Sequence, residues 1–498
     1  MEASISETFR NRIVLVTGST GFLGKILIEK ILRSCPIKKI AILVRSKKGF
    51  NANQRVADIY KQAVFDRLKV ENPDFTDLIK IIDCNIEDSS MGLTTVDRDW
   101  IVENVNFVFH CAATIKFNET LESASKINIQ GTEKLLSFVT QMKNLKGFVH
   151  VSTAYSHCPR DEIKEQYYPV PITVKKLKNM SGVDDSTPRV LEDWPNTYCF
   201  TKAIAENLVL INGIHLPMSV FRPSIIGCTK SEPDPGWLEN MNGPSGIVAG
   251  VMTGFLRTVP IVRNKITDIV PADYTVNALI SVMWDTVNRY QNSNLINQEP
   301  KVYNYVSSVE SPLVWGRYIE EMQDHYHEAP PLQSTWYIFY VFYTNLWIGK
   351  MLRFVLHRIP ATLMDFWLIV CGKSPKFLKM YVKTEFMMDL LYEFTTRQWK
   401  FDNSNIRGLW SLLSQDDRNA FWFSLEEFDW TSYIKIYFYS IRKHVLHEEL
   451  SNVAKATVKN RNLQLSTRYP LFVVEYFTVD TPNAVSVTIM AKVRRSFD

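Results

Sequence analysis

RIVLVTGSTGFLG (residues 12–24) is an apolar run of strand length that ends at Thr17, passes into the glycine triplet Gly18, Gly21 and Gly24, and continues as the helical stretch GKILIEKILRS (24–34). Strand, triplet and helix in this order make the turn on which a dinucleotide pyrophosphate rests. The first glycine permits the tight turn, the second lets backbone amides approach the phosphates, and the third lets helix and strand pack closely. The positive end of the helix dipole then faces the anion. A purely structural turn is the bland alternative. A phosphate loop is excluded, because it needs Lys followed by Ser or Thr after its last glycine, and Lys25 is followed by Ile26.

Five more apolar runs follow, separated by helical patterns: KIAILVR (39–45), IKIIDC (79–84), VNFVFHCAA (105–113), GFVHVSTA (147–154) and MSVFRPS (218–224). They lack polar alternation, which marks strands buried on both faces of a parallel sheet. The expected fold is α/β, a Rossmann-type doubly wound parallel sheet with right-handed crossovers. From about residue 311 the alternation stops. Aromatic-rich WYIFYVFYTNLWIG (336–349), then amphipathic patterns broken by Gly372, Pro375 and the DNSN turn (402–405), predict a second, mainly helical C-terminal domain. The division expected is a cofactor-binding and catalytic domain at 1–310, an aromatic connection at 311–355, a helical domain at 356–450 and a tail at 451–498.

A chain of 498 residues is long enough for two domains, and 46% hydrophobic with 22% charged residues exclude a disordered or fibrous protein. A net charge of +5 over this length argues against a nucleic-acid partner. The seven cysteines are scattered and never form a C-x-x-C pair, so a reducing compartment is expected, with neither a disulfide framework nor a zinc site. Residues 1–12 are polar and lead straight into a strand, which predicts no cleaved signal. Asp324-His325-Tyr326-His327-Glu328 and His444-x-x-His447-Glu448 look like metal ligands, but no third ligand matches them and no metal is expected.

NAD-specific folds place an acid at the end of the second strand. Here Arg45 is followed by Lys47 and Lys48, cations suited to the extra phosphate of NADP, with a solvated basic loop as the alternative. Asp83 or Asn85, after the third strand, is placed to reach the adenine, and Ala112 and Ala113, after the fourth, leave the cofactor room. Thr20, Phe22 and Leu23 complete the candidate contacts of the glycine turn.

Tyr198 and Lys202 open the helical stretch YCFTKAIAENLVL one turn apart on the same face. A hydride delivered to a carbonyl carbon makes an oxyanion that needs a proton. A tyrosine, with pKa ~10, can supply it when a cation lowers that value, and Lys202 is the expected cation. At the carboxyl end of the fifth strand, Ser152 and Thr153 offer a hydroxyl to hold the substrate oxygen. Strand alternation favours Thr153, with Ser152 competing.

These residues, with Asn128-x-x-Gly131-Thr132 and Phe221-Arg222-Pro223-Ser224, resemble the extended short-chain dehydrogenases. Further stretches are similar to the animal alcohol-forming fatty acyl-CoA reductases: HCAATIKFNE (110–119), PNTYCFTKAIAE (195–206), GWLENMNGPSG (236–246) and DIVPADYTVNA (268–278) in the first half. In the second half they are LHRIPATLMDFWLIVCGKSPKFLKMY (356–381), Trp399 to Phe401 and FDWTSYIKIYFYSIRKHVL (428–446). The similarity covers about residues 10–450. It implies the family's Tyr and Lys at Tyr198 and Lys202, its strand-end hydroxyl within the Ser152–Thr153 pair, and its glycine fingerprint at Gly18, Gly21 and Gly24.

The resemblance also implies the reaction. A long-chain acyl-CoA is reduced by two NADPH to the primary alcohol, through a hemithioacetal that loses CoA and then an aldehyde. Implied partners are long-chain acyl-CoA and membrane lipid at a cytosol-facing intracellular membrane, endoplasmic reticulum or peroxisome, and a homo-oligomer is allowed. Two departures stand out. Cys84-Asn85-Ile86 replaces the usual Gly-Asp-Ile, and the sequence from about 457 lacks the apolar terminal segment of many relatives. The stretch YPVPITVKKLKNMSG (168–182) reads as a lid, an acyl-channel wall or a surface insertion. Residues 329–349 are uncharged and just long enough to cross a bilayer, so a span, an in-plane or channel-lining helix and a core helix are the three readings. Rival functions are a thioester reductase that stops at the aldehyde or accepts a carrier-bound acyl group, a non-catalytic NADPH-binding protein at membranes, and a sugar epimerase.

Overall fold

Seven strands pair side by side because β-branched and aromatic side chains cover both faces of a sheet closed in by helices. They are β1 (Ile13–Thr17), β2 (Lys39–Val44), β3 (Ile79–Asp83), β4 (Phe107–His110), β5 (Gly147–Val151), β6 (Met218–Pro223) and β7 (Lys301–Tyr305). In this computed structural model, which describes residues 3–47, 49–88, 90–117, 119–174, 177, 191, 193–239, 243–292 and 299–471, the sheet order is β7-β6-β5-β4-β1-β2-β3 and every pairing is parallel. Every residue of β1, β4, β5 and β6 is buried. The order reverses between β1 and β4, and the crevice at their carboxyl ends is where doubly wound sheets bind ligands.

The helices used below are α1 (Phe22–Ser34), α2 (Gly131–Val139), α3 (Thr197–Gly213), α4 (Pro244–Met252), α5 (Ala272–Asn292), α6 (Trp315–Glu328), α7 (Leu346–Arg353), α8 (Ile359–Val370), α9 (Phe377–Thr396) and α10 (Trp430–Ser440). Six strands are expected from the sequence, and β7 is an addition to that reading. Its run KVYNY is interrupted by Asn304, a polar residue that is nevertheless fully buried because its Nδ2 donates to the carbonyls of Ile163 (3.2 Å) and Asp402 (2.8 Å).

The chain divides into two compact units that do not follow the contiguous spans read from the sequence. The first contains Met1–Trp237, Asp268–Ser311 and Trp399–Phe428, and the second Leu238–Thr267, Pro312–Gln398 and Asp429–Asp498. The return of 399–428 to the first unit is fixed by the pairing of Lys400–Phe401 with Glu162–Ile163. The second unit is mainly helical, with α6 packed on α10, α8 on α9, and one short parallel pairing of Thr258–Val259 with Val341–Phe342.

The uncharged stretch 329–349 is not one helix. Val341 and Phe342 form a strand, Tyr340 and Tyr343 are buried beside them, and a helix starts only at Leu346. Among the described residues no helix is long and apolar enough to cross a membrane. Within 168–182, Tyr168, Ile172 and Leu177 are buried. Residues 175–176 and 178–182 of that stretch, Lys48, and residues 472–498 of the tail lie outside the described residues.

Candidate active site

The turn after β1 is shaped by what two glycines leave out. Gly18 has φ +70°, and a Cβ there would lie 2.7 Å from the Ala112 amide nitrogen and the Cys111 carbonyl carbon at the end of β4. A Cβ on Gly24 would lie 2.3 Å from the Gly18 carbonyl oxygen. Both side chains are excluded by backbone, which cannot step aside. Gly21 is exposed as the N-cap of α1 and supplies no capping side chain, so the first-turn amides of α1 are left for another acceptor. Thr17 Oγ1 ties the ends of β1 and β4 together, bonding His110 Nδ1 at 2.7 Å and accepting from the Ala112 amide at 3.1 Å. Thr20, Phe22 and Leu23 are half-buried around the turn, with Phe22 stacked on Trp237 at 5.1 Å. A close-approach cradle on a helix N-terminus fits a dinucleotide pyrophosphate.

The basic end of β2 is already engaged. Arg45 is exposed and ion-paired with Glu87. Asp83 accepts from the Ser46 amide at 3.2 Å and from its hydroxyl at 2.6 Å. Lys47 is exposed, with its backbone bridged to Phe50.

Asn196 caps α3, its Oδ1 accepting from the Cys199 amide at 2.9 Å, and this sets Tyr198 in the first turn with Lys202 and Glu206 one and two turns further along the same face. Thr153, just beyond β5, lies near enough to the Tyr198 phenol to favour its ionised form. Ser152 turns the other way, its Oγ donating to Glu206 Oε1 at 2.5 Å. Lys202 is buried, and its Nζ donates to the Val151 carbonyl at 2.7 Å. Tyr198, Thr153 and Lys202 therefore converge at the end of β5, whereas the Ser152 hydroxyl is spent elsewhere.

Burial pushes the Tyr198 phenol up from its ordinary value, with Thr153 as the opposing influence. Burial also pulls Lys202 down to about 8, against the favourable charges of Cys111 and Glu206. Desolvation outweighs the opposing influences at both groups.

A buried ion network lies directly behind Ser152. Arg222, with no exposed surface, donates from Nε to Glu206 Oε1 (2.9 Å) and from Nη2 to Oε2 (2.6 Å), and two of its other hydrogens go to the carbonyls of Lys164 (3.1 Å) and Gln166 (3.0 Å). His157 Nε2 joins Glu206 Oε2 at 3.0 Å. Burial opposes the Glu206 charge, but Arg222 and then His157 outweigh it and hold the carboxyl well below the usual range, while burial keeps His157 below an ordinary imidazole.

Residue-by-residue reading of the sequence missed Glu206 and His157. The available signal was an acid two helical turns after Tyr198, inside the otherwise apolar AIAENLVL. Asn128 had entered only within a quoted motif. It sits in the π-turn Ser125–Gln130, where its Oδ1 accepts from the Thr114 amide at 2.8 Å and its Nδ2 donates to the Thr201 hydroxyl at 3.0 Å. Trp399 and Phe401, quoted with the helical domain, pack in the first unit instead. The Trp399 indole donates to the Cys158 carbonyl at 2.9 Å and meets the Tyr155 ring edge-on at 5.2 Å.

Two family models, both described as male sterility protein, match residues 16–279, as the family's NAD-binding part, and residues 356–448. Fatty acyl-CoA reductase wat of Drosophila melanogaster is 35% identical over 473 residues, 93% of this chain and 90% of that protein. Fatty acyl-CoA reductase 1 of Homo sapiens is 37% identical over 480 residues, 94% of this chain and 90% of that protein. Among solved structures, the terminal R domain from the myxalamid PKS-NRPS biosynthetic pathway superposes with a TM-score of 0.57 at 17% identity, covering 89% of this chain and 93% of that one, a likeness of fold. With identity above 30% along more than nine-tenths of its length, the chain belongs to the fatty acyl-CoA reductase family.

Proposed function

We propose that this chain is an NADPH-dependent, alcohol-forming reductase of long-chain fatty acyl-CoA, passing through a hemithioacetal and an aldehyde. The observation that carries the reading is the placing of Tyr198 near Thr153 and of buried Lys202 against the Val151 carbonyl, at the carboxyl end of the sheet whose first turn is the glycine cradle. Bound NADPH supplies hydride. Thr153 orients the substrate carbonyl oxygen, and Tyr198 gives its proton to the oxyanion that forms there. Lys202 holds positive charge within the site, and Ala112 leaves space beside the turn made by Gly18, Thr20, Gly21, Phe22, Leu23 and Gly24.

In this reading Arg45 and Lys47 take the 2′-phosphate, and Asp83 holds the loop through Ser46. Arg45→Ala is expected to weaken NADPH binding by ~1.5–3 kcal/mol and leave NADH nearly unchanged. Glu87→Gln, which frees Arg45 from its ion pair, should shift NADPH affinity the other way. Equal losses for both cofactors in a fluorescence titration of Arg45→Ala would assign Arg45 to the fold.

An apolar hollow in the second unit supports the long alkyl chain. It lies between α4, α6 and the Val341–Phe342 strand and is walled by Val248, Val251, Ile319, Met322, Tyr340 and Phe342. Its lining is almost entirely apolar, and an apolar hollow forfeits packing unless an apolar group fills it. Incubation with NADPH and a panel of acyl-CoAs, followed by lipid extraction, should yield primary alcohols with long chains preferred. Ile319→Phe, which fills the cavity, should lower kcat/KM for long chains ~10-fold and spare short ones. Aldehyde as the end product would replace this reading with an aldehyde-releasing reductase, and cofactor binding without any product would replace it with a non-catalytic protein. Membrane lipid, at a cytosol-facing membrane of the endoplasmic reticulum or peroxisome, is the partner that the same reading requires.

A further inference from the structure

A helix on a water-exposed unit normally turns its apolar stripe inward. The continuous stretch of α7, the π-turn Phe354–Arg358 and α8 does the reverse. Facing inward at four-residue spacing are Arg353, His357, Ala361 and Asp365, with Arg353 4% and His357 1% exposed. Facing outward are Trp347 (76% exposed), Phe354 (57%), Leu363 (64%), Phe366 (65%), Trp367 (63%) and Val370 (69%). Most of the inward polar groups are satisfied where they stand, His357 Nδ1 being buried without a hydrogen-bond partner among the described residues. Arg353 Nη1 donates to Asp389 at 2.8 Å, His357 Nε2 accepts from the Arg257 amide at 3.0 Å, and Asp365 accepts three amides, those of Lys376, Phe377 and Leu378, at 2.8–2.9 Å. The first turns of α9 also expose apolar residues, Met380, Val382 and Phe386, while Tyr381 and Glu385 are buried. The packed face is the polar one, so the apolar face is a built surface, far larger than the scattered exposed apolar residues of an ordinary protein.

Charge sets what can cover it. Residues 346–386 hold seven Lys and Arg against two acids, Asp365 and Glu385, an excess equal to the net +5 of the whole chain. Both acids are buried, Asp365 capping α9 and Glu385 paired with Arg358. Lys373, Lys376, Lys379 and Lys383, on and after the α8–α9 turn, are exposed and have no acidic partner among the described residues. A second copy meeting this face across a two-fold axis would bring cations against cations. An anionic lipid surface is complementary to both the apolar side chains and their cationic rim.

We infer that α7, α8 and the start of α9 form a monotopic docking face that lies in the plane of a bilayer surface, with the apolar side chains of α7 and α8 among the acyl chains and the lysines on anionic phospholipid headgroups. The inference rests on the lipid-substrate reading above and goes beyond it by naming the surface, its in-plane mode and the lipid charge.

The test is co-sedimentation of the full chain with phosphatidylcholine vesicles, with and without phosphatidylserine, in the absence of substrate, so that its outcome is independent of reductase activity. The wild type should bind, more tightly with phosphatidylserine. Trp347→Ser/Phe366→Ser/Trp367→Ser should lose binding to both vesicles by ~100-fold, since three large apolar anchors leave the bilayer. Lys376→Glu/Lys379→Glu/Lys383→Glu should lose only the phosphatidylserine increment, roughly five-fold per cation. Quenching of tryptophan fluorescence by lipids doxyl-labelled on the acyl chain should disappear in the first variant. All these side chains are exposed, and retained NADPH titration serves as the folding control. Unchanged vesicle binding in both variants overturns the inference, as does a wild-type dimer that the first variant converts to monomer while vesicle binding persists, which would make the face a subunit interface.

Discussion

Tyr198→Phe is expected to lower turnover by ~10²-fold or more while leaving the NADPH titration nearly unchanged, because the ring keeps its place and only the proton donor is lost. The Phe117 ring lies 5.9 Å from that of Tyr198, a contact that phenylalanine preserves. Stopped-flow or steady-state NADPH oxidation with a long-chain acyl-CoA reads the effect, and wild-type-like alcohol formation would remove Tyr198 from its role. Since burial holds the phenol above its ordinary value, ionisation of Tyr198 should not limit the rate anywhere near neutrality. An alkaline limb near about 8 would instead report Lys202. Thr153→Ala should cost about tenfold in turnover, as expected for loss of one oxyanion-orienting hydroxyl. Ser152→Ala acts through Glu206 and should alter stability before chemistry.

Glu206→Gln is expected to destabilise the protein by about 3–5 kcal/mol, the scale for breaking a buried ion pair by removing one partner. Its cause is the guanidinium of Arg222, which has no exposed surface and would keep only the carbonyls of Lys164 and Gln166 as full acceptors. The double replacement Glu206→Leu/Arg222→Met should recover much of the loss, since two apolar residues leave no uncompensated charge. Chemical denaturation at neutral pH distinguishes the outcomes, and equal stability of the wild type and Glu206→Gln would disprove the account.

The pH dependence has a definite sign. The folded-state pKa of Glu206 is depressed, so its contribution is complete above the unfolded carboxyl value of ~4.3 and is lost as pH falls through the folded value. His157, likewise held low in the fold, adds acid sensitivity of the same sign below ~6.5. Glu206→Gln should lack the carboxyl part of this acid-induced loss.

Local chemistry made the nucleotide turn legible in the sequence. The glycine spacing is dictated by a backbone contact within seven residues, Gly24 against Gly18, and by the strand and helix that flank it. The six apolar runs were legible for the same reason, because burial on both faces leaves a continuous apolar signature. β7 was not, since the groups that satisfy buried Asn304 come from residues 163 and 402. Tyr198 and Lys202 could be paired from helical spacing alone. The choice between Thr153 and Ser152 became physical only when Glu206, more than fifty residues away, was seen to claim the Ser152 hydroxyl.

The sequence by itself determined the class of fold, the cofactor turn, the Tyr198–Lys202 helix face and the family, because each depends on contacts within a few residues or on an extended ordered resemblance. Only the tertiary structure decided the interleaving of the two units, the upward shift of Tyr198, the ion network behind β5 and the inversion of α7 and α8. Those depend on which distant groups desolvate or satisfy a side chain. A run such as ATLMDFWLIV reads as apolar whether it faces a core or a membrane, and the difference lies in the neighbours that bury Arg353, His357 and Asp365 in place of Phe366 and Trp367.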